Sequence, residues 1–121
     1  MLFRSEVKMS NPKTALELMK ARYEAYTKGD IEFIKNTHDP KTAKGIDWKE
    51  AEEWSKNSKW LGLEIVETIA GTQFDKEGIV EFKAKYIDLI SGEEVVHHER
   101  SYFVKKGRHW YYKGWLPINN S

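Results

Sequence analysis

Up to about residue 60 the apolar positions recur every three or four residues, and beyond it they alternate with polar ones. In "KTALELMKARYEAYTKG" the residues Ala15, Leu16, Leu18, Met19, Tyr23 and Tyr26 fall on one broad stripe at about 100° per residue. Asn11 as cap, Pro12 at the first helical position and Gly29 as stop predict a helix from about Pro12 to Lys28. Asp30 caps a second, short helix over "IEFIKN", which ends before "THDP" because Pro40 disfavours a helical Asp39. Asp47 caps a third over "WKEAEEWSKNSK". Then "WLGLEIVETIAG", "GIVEFKAKYIDLI", "EEVVHHERSYFVK" and "RHWYYK" read as four antiparallel strands separated by Asp, Gly and Ser-Gly signals. Helices followed by strands predict an α+β fold, with the helices on one face of a curved sheet. Residues 1–10 read as a frayed tail, and residues 11–121, without repeat or linker, as a single domain.

Hairpin arithmetic assigns the strand residues to faces, because cross-strand neighbours share a side. With two-residue turns at Ser91-Gly92 and Lys106-Gly107, Val80, Phe82, Ala84 and Tyr86 stand opposite Phe103, Ser101, Glu99 and His97. Phe103, Ser101 and Glu99 in turn face Trp110, Tyr112 and Gly114. An even-length loop at Asp75 to Gly78 adds Ile69, Glu67, Ile65 and Leu63 to the same side. The inner face then has an apolar end (Val80, Phe82, Phe103, Trp110, Ile69) and a polar end (Glu67, Tyr86, His97, Glu99, Tyr112) where Ala84 and Gly114 leave room for a pocket. Arg22 lies in the middle of the first helix's apolar stripe, so it points toward this pocket. A buried guanidinium needs a counter-charge, available from Glu99 or Glu67, and Glu99, flanked by the small Ala84 and Gly114, is the favoured partner. Arg22, Glu67, Tyr86, His97, Glu99 and Tyr112 are therefore the candidate ligand-binding residues.

The run "HHER" at 97–100 raises the question of a metal or acid/base site. Adjacent strand residues face opposite ways, so His97 and His98 cannot share an ion without distortion, and His97 with Glu99 supplies too few ligands for zinc. No metal and no cofactor are expected. His98 is read as an outer-face histidine near Lys85. Trp48, Trp54 and Trp60 are expected to cover the sheet, and Glu50, Glu52 and Glu53 to mark a solvated helix face.

Composition narrows the choice of partner. Twenty basic and nineteen acidic residues give a net charge of +1, which offers nucleic acid no general attraction, and no apolar run is long enough to span a membrane. The N-terminus lacks the pattern of a signal peptide and the chain has no cysteine, so a cytoplasmic location is the expectation. No phosphate-binding glycine loop, nucleophile elbow or zinc helix motif is present.

The blocks "LMKARYEAY", "THDP", "WLGLEIVE", "GIVEFKAKY", "HERSYF" and "HWYYKG" occur, from Thr14 to Pro117, in the order and approximate spacing of the central domain of YchJ-type proteins, which this chain resembles. The resemblance implies a cystatin-like cone of the superfamily named after nuclear transport factor two. YchJ-type proteins usually carry cysteine-rich, zinc-binding SEC-C segments beside this domain, and this chain has none, so the partner recognition those segments give their relatives does not carry over. The first functional reading is a ligand-binding or structural module with a polar pocket inside the cone. The second is an enzyme using Glu99 or Glu67 as base and His97 or Tyr86 as acid. The third is an interaction module acting through the outer sheet, where Tyr102 opposite Tyr111, with Val104 and Ile79, would form a homodimer patch.

Overall fold

The computed structural model describes residues 11–118. Helices α1 (Ala15–Lys28), α2 (Ile31–Asn36), α3 (Pro40–Ala43) and α4 (Trp48–Lys56) precede strands β1 (Ser58–Ala70), β2 (Glu77–Asp88), β3 (Glu94–Lys106) and β4 (His109–Leu116). The strands form one antiparallel sheet in the order β1-β2-β3-β4. No helix among the described residues is long and apolar enough to cross a membrane.

Helix α1 starts later than Asn11-Pro12 suggests. Its cap is Thr14, whose hydroxyl accepts from the Glu17 amide at 3.0 Å while the Glu17 carboxylate accepts from the Lys13 amide at 2.9 Å. This Thr-x-x-Glu exchange satisfies amides at the helix entry and outcompetes the Asn-Pro signal. Gly29 ends the helix at φ 74°, a conformation that costs glycine no Cβ clash, and Asp30 and Asp47 cap α2 and α4 as expected. Asp39 is extended, but Pro40 behind it opens the short helix α3, because proline suits a first helical position as well as it ends a preceding helix.

Register explains which expectations about faces survive. The β2–β3 loop is two residues longer than a tight turn: Asp88 accepts from the amides of Ile90 and Ser91, and Gly92 sits at φ 79°. Val80, Phe82 and Ala84 therefore oppose Ser101, Glu99 and His97, and Tyr86 opposes Val95. A shift of two preserves the faces. Likewise β3–β4 turns at Gly107-Arg108, so that Phe103 opposes Tyr112, and an extra residue in β4 then places Gly114 opposite Tyr102. Tyr102 does not face Tyr111, whose partner is Val104. Between β1 and β2 the outcome differs. Ile65 pairs with Phe82 but Glu67 pairs with Glu81, so Val66 is an extra residue and the faces exchange there. Leu63 and Ile65 stay inside, whereas Glu67 and Ile69 turn to the outer face, contrary to the expectation.

The core lies between α1 and the inner sheet face, where Leu18, Met19, Val80, Phe82, Phe103 and Trp110 are buried. Each large side chain so buried contributes about 1.5–3 kcal/mol. The start of α1 is tied to the β1–β2 hairpin through the Ala15 amide, which donates to the Gly71 carbonyl at 3.0 Å. This approach needs glycine: a Cβ on Gly78 would lie 2.4 Å from the Gly71 Cα, and one on Gly71 would lie 2.8 Å from the Ala15 Cβ.

Candidate functional site

A pocket of about 190 Å³ opens between α1, α4 and the inner faces of β2, β3 and β4. Strand alternation supplies its floor. His97, Glu99 and Ser101 are successive inward residues of β3, and Tyr112 of β4 reaches them from the side. The Glu99 carboxylate accepts three hydrogen bonds, from His97 Nε2 at 2.9 Å, the Ser101 hydroxyl at 2.7 Å and the Tyr112 hydroxyl at 2.7 Å. Burial pushes the Glu99 carboxyl up, but these donors outweigh it and hold the group below the ordinary carboxylate range. Burial, and then the Glu99 charge, push the Tyr112 hydroxyl far above the usual tyrosine range.

Arg22 points inward as its helix phase requires, and is 8% exposed. Its partner is not Glu99. Nη1 donates to the Ile34 carbonyl at 2.9 Å and to the Thr37 hydroxyl at 2.7 Å, and the guanidinium carbon lies 4.6 Å from the centre of the Tyr112 ring. The expected ion pair is replaced by α2's C-terminal carbonyl and an aromatic face. Tyr112 stands between the two charges, with its ring against Arg22 and its hydroxyl on Glu99. Burial lowers the Arg22 pKa, with the neighbouring tyrosines and Glu99 acting in the other direction, and a guanidinium in a protein nevertheless remains charged.

Aromatic rings make the walls. Trp54 lies 5.3 Å from Trp60, 5.2 Å from Tyr26 and 5.2 Å from the His97 ring, so the tryptophans do cover the sheet, and they also face the pocket. Tyr86 packs on Trp54 and Trp60 and does not reach the pocket lining. On the opposite side His38 presents its ring edge to Trp48 and Tyr112, at 5.6 and 5.2 Å. Burial and the Arg22 charge lower the His38 pKa to about 4 against the opposing pull of Asp39, so the ring is neutral at pH 7. His38 is held by its chain: the Tyr112 amide donates to the Thr37 carbonyl and the Asp39 amide to the Tyr112 carbonyl, both at 2.8 Å, which adds residues 37–39 to the edge of β4. The fully buried Asp39 carboxylate then accepts from Lys106 at 2.9 Å and Lys113 at 3.2 Å.

Of the residues expected at the site, the structure brings together Arg22, His97, Glu99 and Tyr112. Glu67 is excluded, since the extra residue Val66 sends it outward to accept from Arg100 at 3.1 Å. His98 is outside as expected, and it is bound rather than freely solvated: Glu81 accepts from His98 at 2.7 Å and from Arg100 at 2.8 Å. The Tyr102 hydroxyl is likewise engaged, by Glu77. Sequence reasoning missed His38, which lies in an irregular segment without periodicity. It also placed Ser101 on the inner face without assigning it to Glu99, although a two-residue spacing on one strand is a usable signal. Among the described residues no cluster of His, Cys, Asp or Glu is arranged to hold a metal ion. A carboxylate already carrying three donors is suited to fixing rings and orienting a ligand more than to taking up a proton.

The chain matches the family model for the YchJ middle domain, of NTF2-like fold, over residues 14–114. It belongs to this family. A UPF0225 protein of Geobacter sulfurreducens is 43% identical over 99 residues, which are 82% of this chain and 60% of that protein. A UPF0225 protein of Haemophilus influenzae is 40% identical over 103 residues, 84% of this chain and 60% of that one. The chain thus spans about 60% of the length of these curated relatives. The solution structure of a SEC-C motif containing protein from Rhodopseudomonas palustris superposes with a TM-score of 0.82 at 28% identity, over 93% of this chain and 85% of that one. A SEC-C motif containing protein from Psychrobacter arcticus gives 0.68 at 31% identity, over 88% and 63%. The YchJ middle domain is therefore an α+β NTF2-like fold here, with helices followed by an open four-stranded antiparallel sheet.

Proposed function

We propose that this YchJ middle domain is a cytoplasmic binding module that takes a small, ring-sized molecule into the pocket between α1, α4 and the sheet, without catalysing a reaction on it. The observation that carries the reading is the combination of aromatic walls with a carboxylate floor whose hydrogen bonds come from the protein itself. Ligand pockets are commonly apolar with a few fixed polar groups, and that is the composition found. The size sets the class of ligand. A cavity of about 150 Å³ is enough for benzene, so 190 Å³ suits one ring with a small substituent. Catalysis by proton transfer is the weaker reading, because Glu99 is held low and Tyr112 high, away from the neutral range that favours acid/base work.

Trp48, Trp54 and Trp60 line the pocket, so intrinsic fluorescence reports directly on its occupation. Titration with a panel of single-ring compounds of differing charge should give saturable changes with at least one of them. Ala84→Leu, which adds bulk to a buried lining residue, should abolish those changes. If every titration is flat, or Ala84→Leu leaves the binding curves unchanged, the pocket is not a binding site.

A further inference from the structure

The guanidinium of Arg22 is held on one side and open on the other. Nη1 takes both of its partners from the protein, the Ile34 carbonyl and the Thr37 hydroxyl, and the plane is fixed against the Tyr112 ring. Among the described residues Nε and Nη2 have no hydrogen-bond partner, and Arg22 makes no ion pair. No buried side-chain nitrogen or oxygen is left without a partner among those residues, so these N–H groups keep some accessible surface, and Arg22 lines the pocket. The Nε–Nη2 edge presents two parallel donors, the geometry that a carboxylate accepts in bidentate fashion.

We infer that the ligand carries a carboxylate, bound through the open Nε–Nη2 edge of Arg22, with its ring between the tryptophans and Tyr112. The inference rests on the pocket's being a binding site and specifies what enters it. Three physical arguments support it. First, Arg22 is more than nine-tenths buried and permanently charged, and its neutral partners Ile34 and Thr37 leave that charge without a counter-ion in direct contact. Second, the guanidinium is already immobilised, so little freedom is lost when it binds. Third, the nearest competing acid is occupied elsewhere. Glu99 accepts from His97, Ser101 and Tyr112, and the Tyr112 side chain intervenes between it and Arg22. A ligand cation would have to share Glu99 with those three donors and approach a fixed positive charge.

Benzoate, benzamide and benzamidine provide a test, since they share a ring and shape and differ in charge. Binding to the whole chain is followed by tryptophan fluorescence and by calorimetry. Benzoate is expected to bind about tenfold or more tightly than benzamide, the discrimination typical of charge-assisted bidentate pairing, and benzamidine more weakly than either. Arg22→Gln should remove the preference for benzoate, bringing the benzoate-to-benzamide affinity ratio to about one. The benzoate-to-benzamide ratio in the unaltered chain decides the matter even if Arg22→Gln does not fold. Equal affinity for benzoate and benzamide, a preference for benzamidine, or an undiminished benzoate preference in Arg22→Gln overturns the carboxylate assignment and leaves the binding-site reading standing. If benzoate, benzamide and benzamidine all fail to bind while another single-ring compound binds, the assignment alone is overturned, and if nothing binds both fall.

Discussion

Acidification from pH 7 to pH 5 should remove about 2 kcal/mol of stability through one residue, His38, whose pKa falls from 6.5 to about 4 on folding. The sign follows from proton counting. Between pH 6.5 and 4 the unfolded chain binds a proton at this imidazole and the folded protein does not, so stability rises with pH across the window and is lost as pH falls. With the two pKa values taken as printed, the loss is about 2 kcal/mol by pH 5 and about 3 kcal/mol by pH 4, approaching a slope of about 1.4 kcal/mol per pH unit. The cause is local: His38 is 5% exposed, wedged edge-on between Trp48 and Tyr112, and subject to the Arg22 charge. The assay is urea unfolding followed by tryptophan fluorescence at half-unit steps from pH 7.5 to 4.5, on the parent and on His38→Phe. Phenylalanine keeps a ring in the wedge and cannot titrate, though it loses the contact with the Thr42 hydroxyl at 3.1 Å. The substitution can change stability at pH 7 in either direction without affecting the argument, because the slope is what carries it. Stability curves for parent and variant that stay parallel between pH 6.5 and 5 would show that His38 is not buried neutral.

Other substitutions test the remaining supports. Glu99→Ala should cost about 3 kcal/mol, because it strands the Ser101 and Tyr112 hydroxyls and His97; Tm and urea midpoint are the readouts, and a loss below about 1 kcal/mol would contradict the three-donor floor. Since the Glu99 carboxyl is lowered on folding from its ordinary 4.5, its contribution is present above that pH and is lost as pH falls further; Glu99→Gln should therefore flatten the stability curve below pH 4.5, which acid titration of the two proteins checks. Gly78→Ala should destabilise by about 2 kcal/mol or more, since the added Cβ meets the backbone of Gly71 rather than a movable side chain; an unchanged Tm would show that α1 and the β1–β2 hairpin do not approach so closely. Glu67→Ala should change stability by less than about 0.5 kcal/mol, because its side chain is half-exposed and Arg100 keeps Glu81; a larger loss, or any change in ligand binding, would return Glu67 to the pocket.

The parts of the fold that are legible in the sequence are those governed by periodicity and by local caps. Helix phase alone buries Arg22, and strand alternation alone places His97, Glu99 and Ser101 on one face, where spacing by two lets both neighbours donate to Glu99. Two loop lengths were misjudged without harm, because each error is even and the faces depend only on parity. Odd insertions are harder to see: besides Leu61 in β1 and Lys113 in β4, Val66 is an extra residue, and "EIVET" contains no glycine or proline to mark a bulge, so Glu67 and Ile69 read as inward. Tertiary features were also out of reach. The Arg22 partners come from the end of α2, and His38 reaches the pocket because the chain after Asn36 runs along β4, neither of which leaves a pattern in the sequence.

Those unpredicted contacts carry an argument about what the site is for. A buried arginine that serves only the fold would be expected to meet a carboxylate, since pairing is what offsets its desolvation. Glu99 lines the same pocket, yet Tyr112 separates the two and directs its hydroxyl to the acid and its ring to the cation. The charges are thereby held close without neutralising one another through contact, and one edge of the guanidinium stays available to the pocket. Tyr112 is fixed in turn by the backbone bridge to Thr37 and Asp39, and Asp39 by Lys106 of β3 and Lys113 of β4. Tyr112→Phe separates the two roles of that side chain. It keeps the ring against Arg22 and deletes one donor to Glu99, so a loss of about 1 kcal/mol in stability is expected with benzoate affinity little changed. Tyr112→Leu removes the spacer as well. It should let Arg22 close on Glu99 and weaken benzoate binding about tenfold, a figure set by the charge-assisted pair it would consume. Equal benzoate affinity in Tyr112→Phe and Tyr112→Leu would show that Tyr112 does not keep the two charges apart, and that the open edge of Arg22 has another cause.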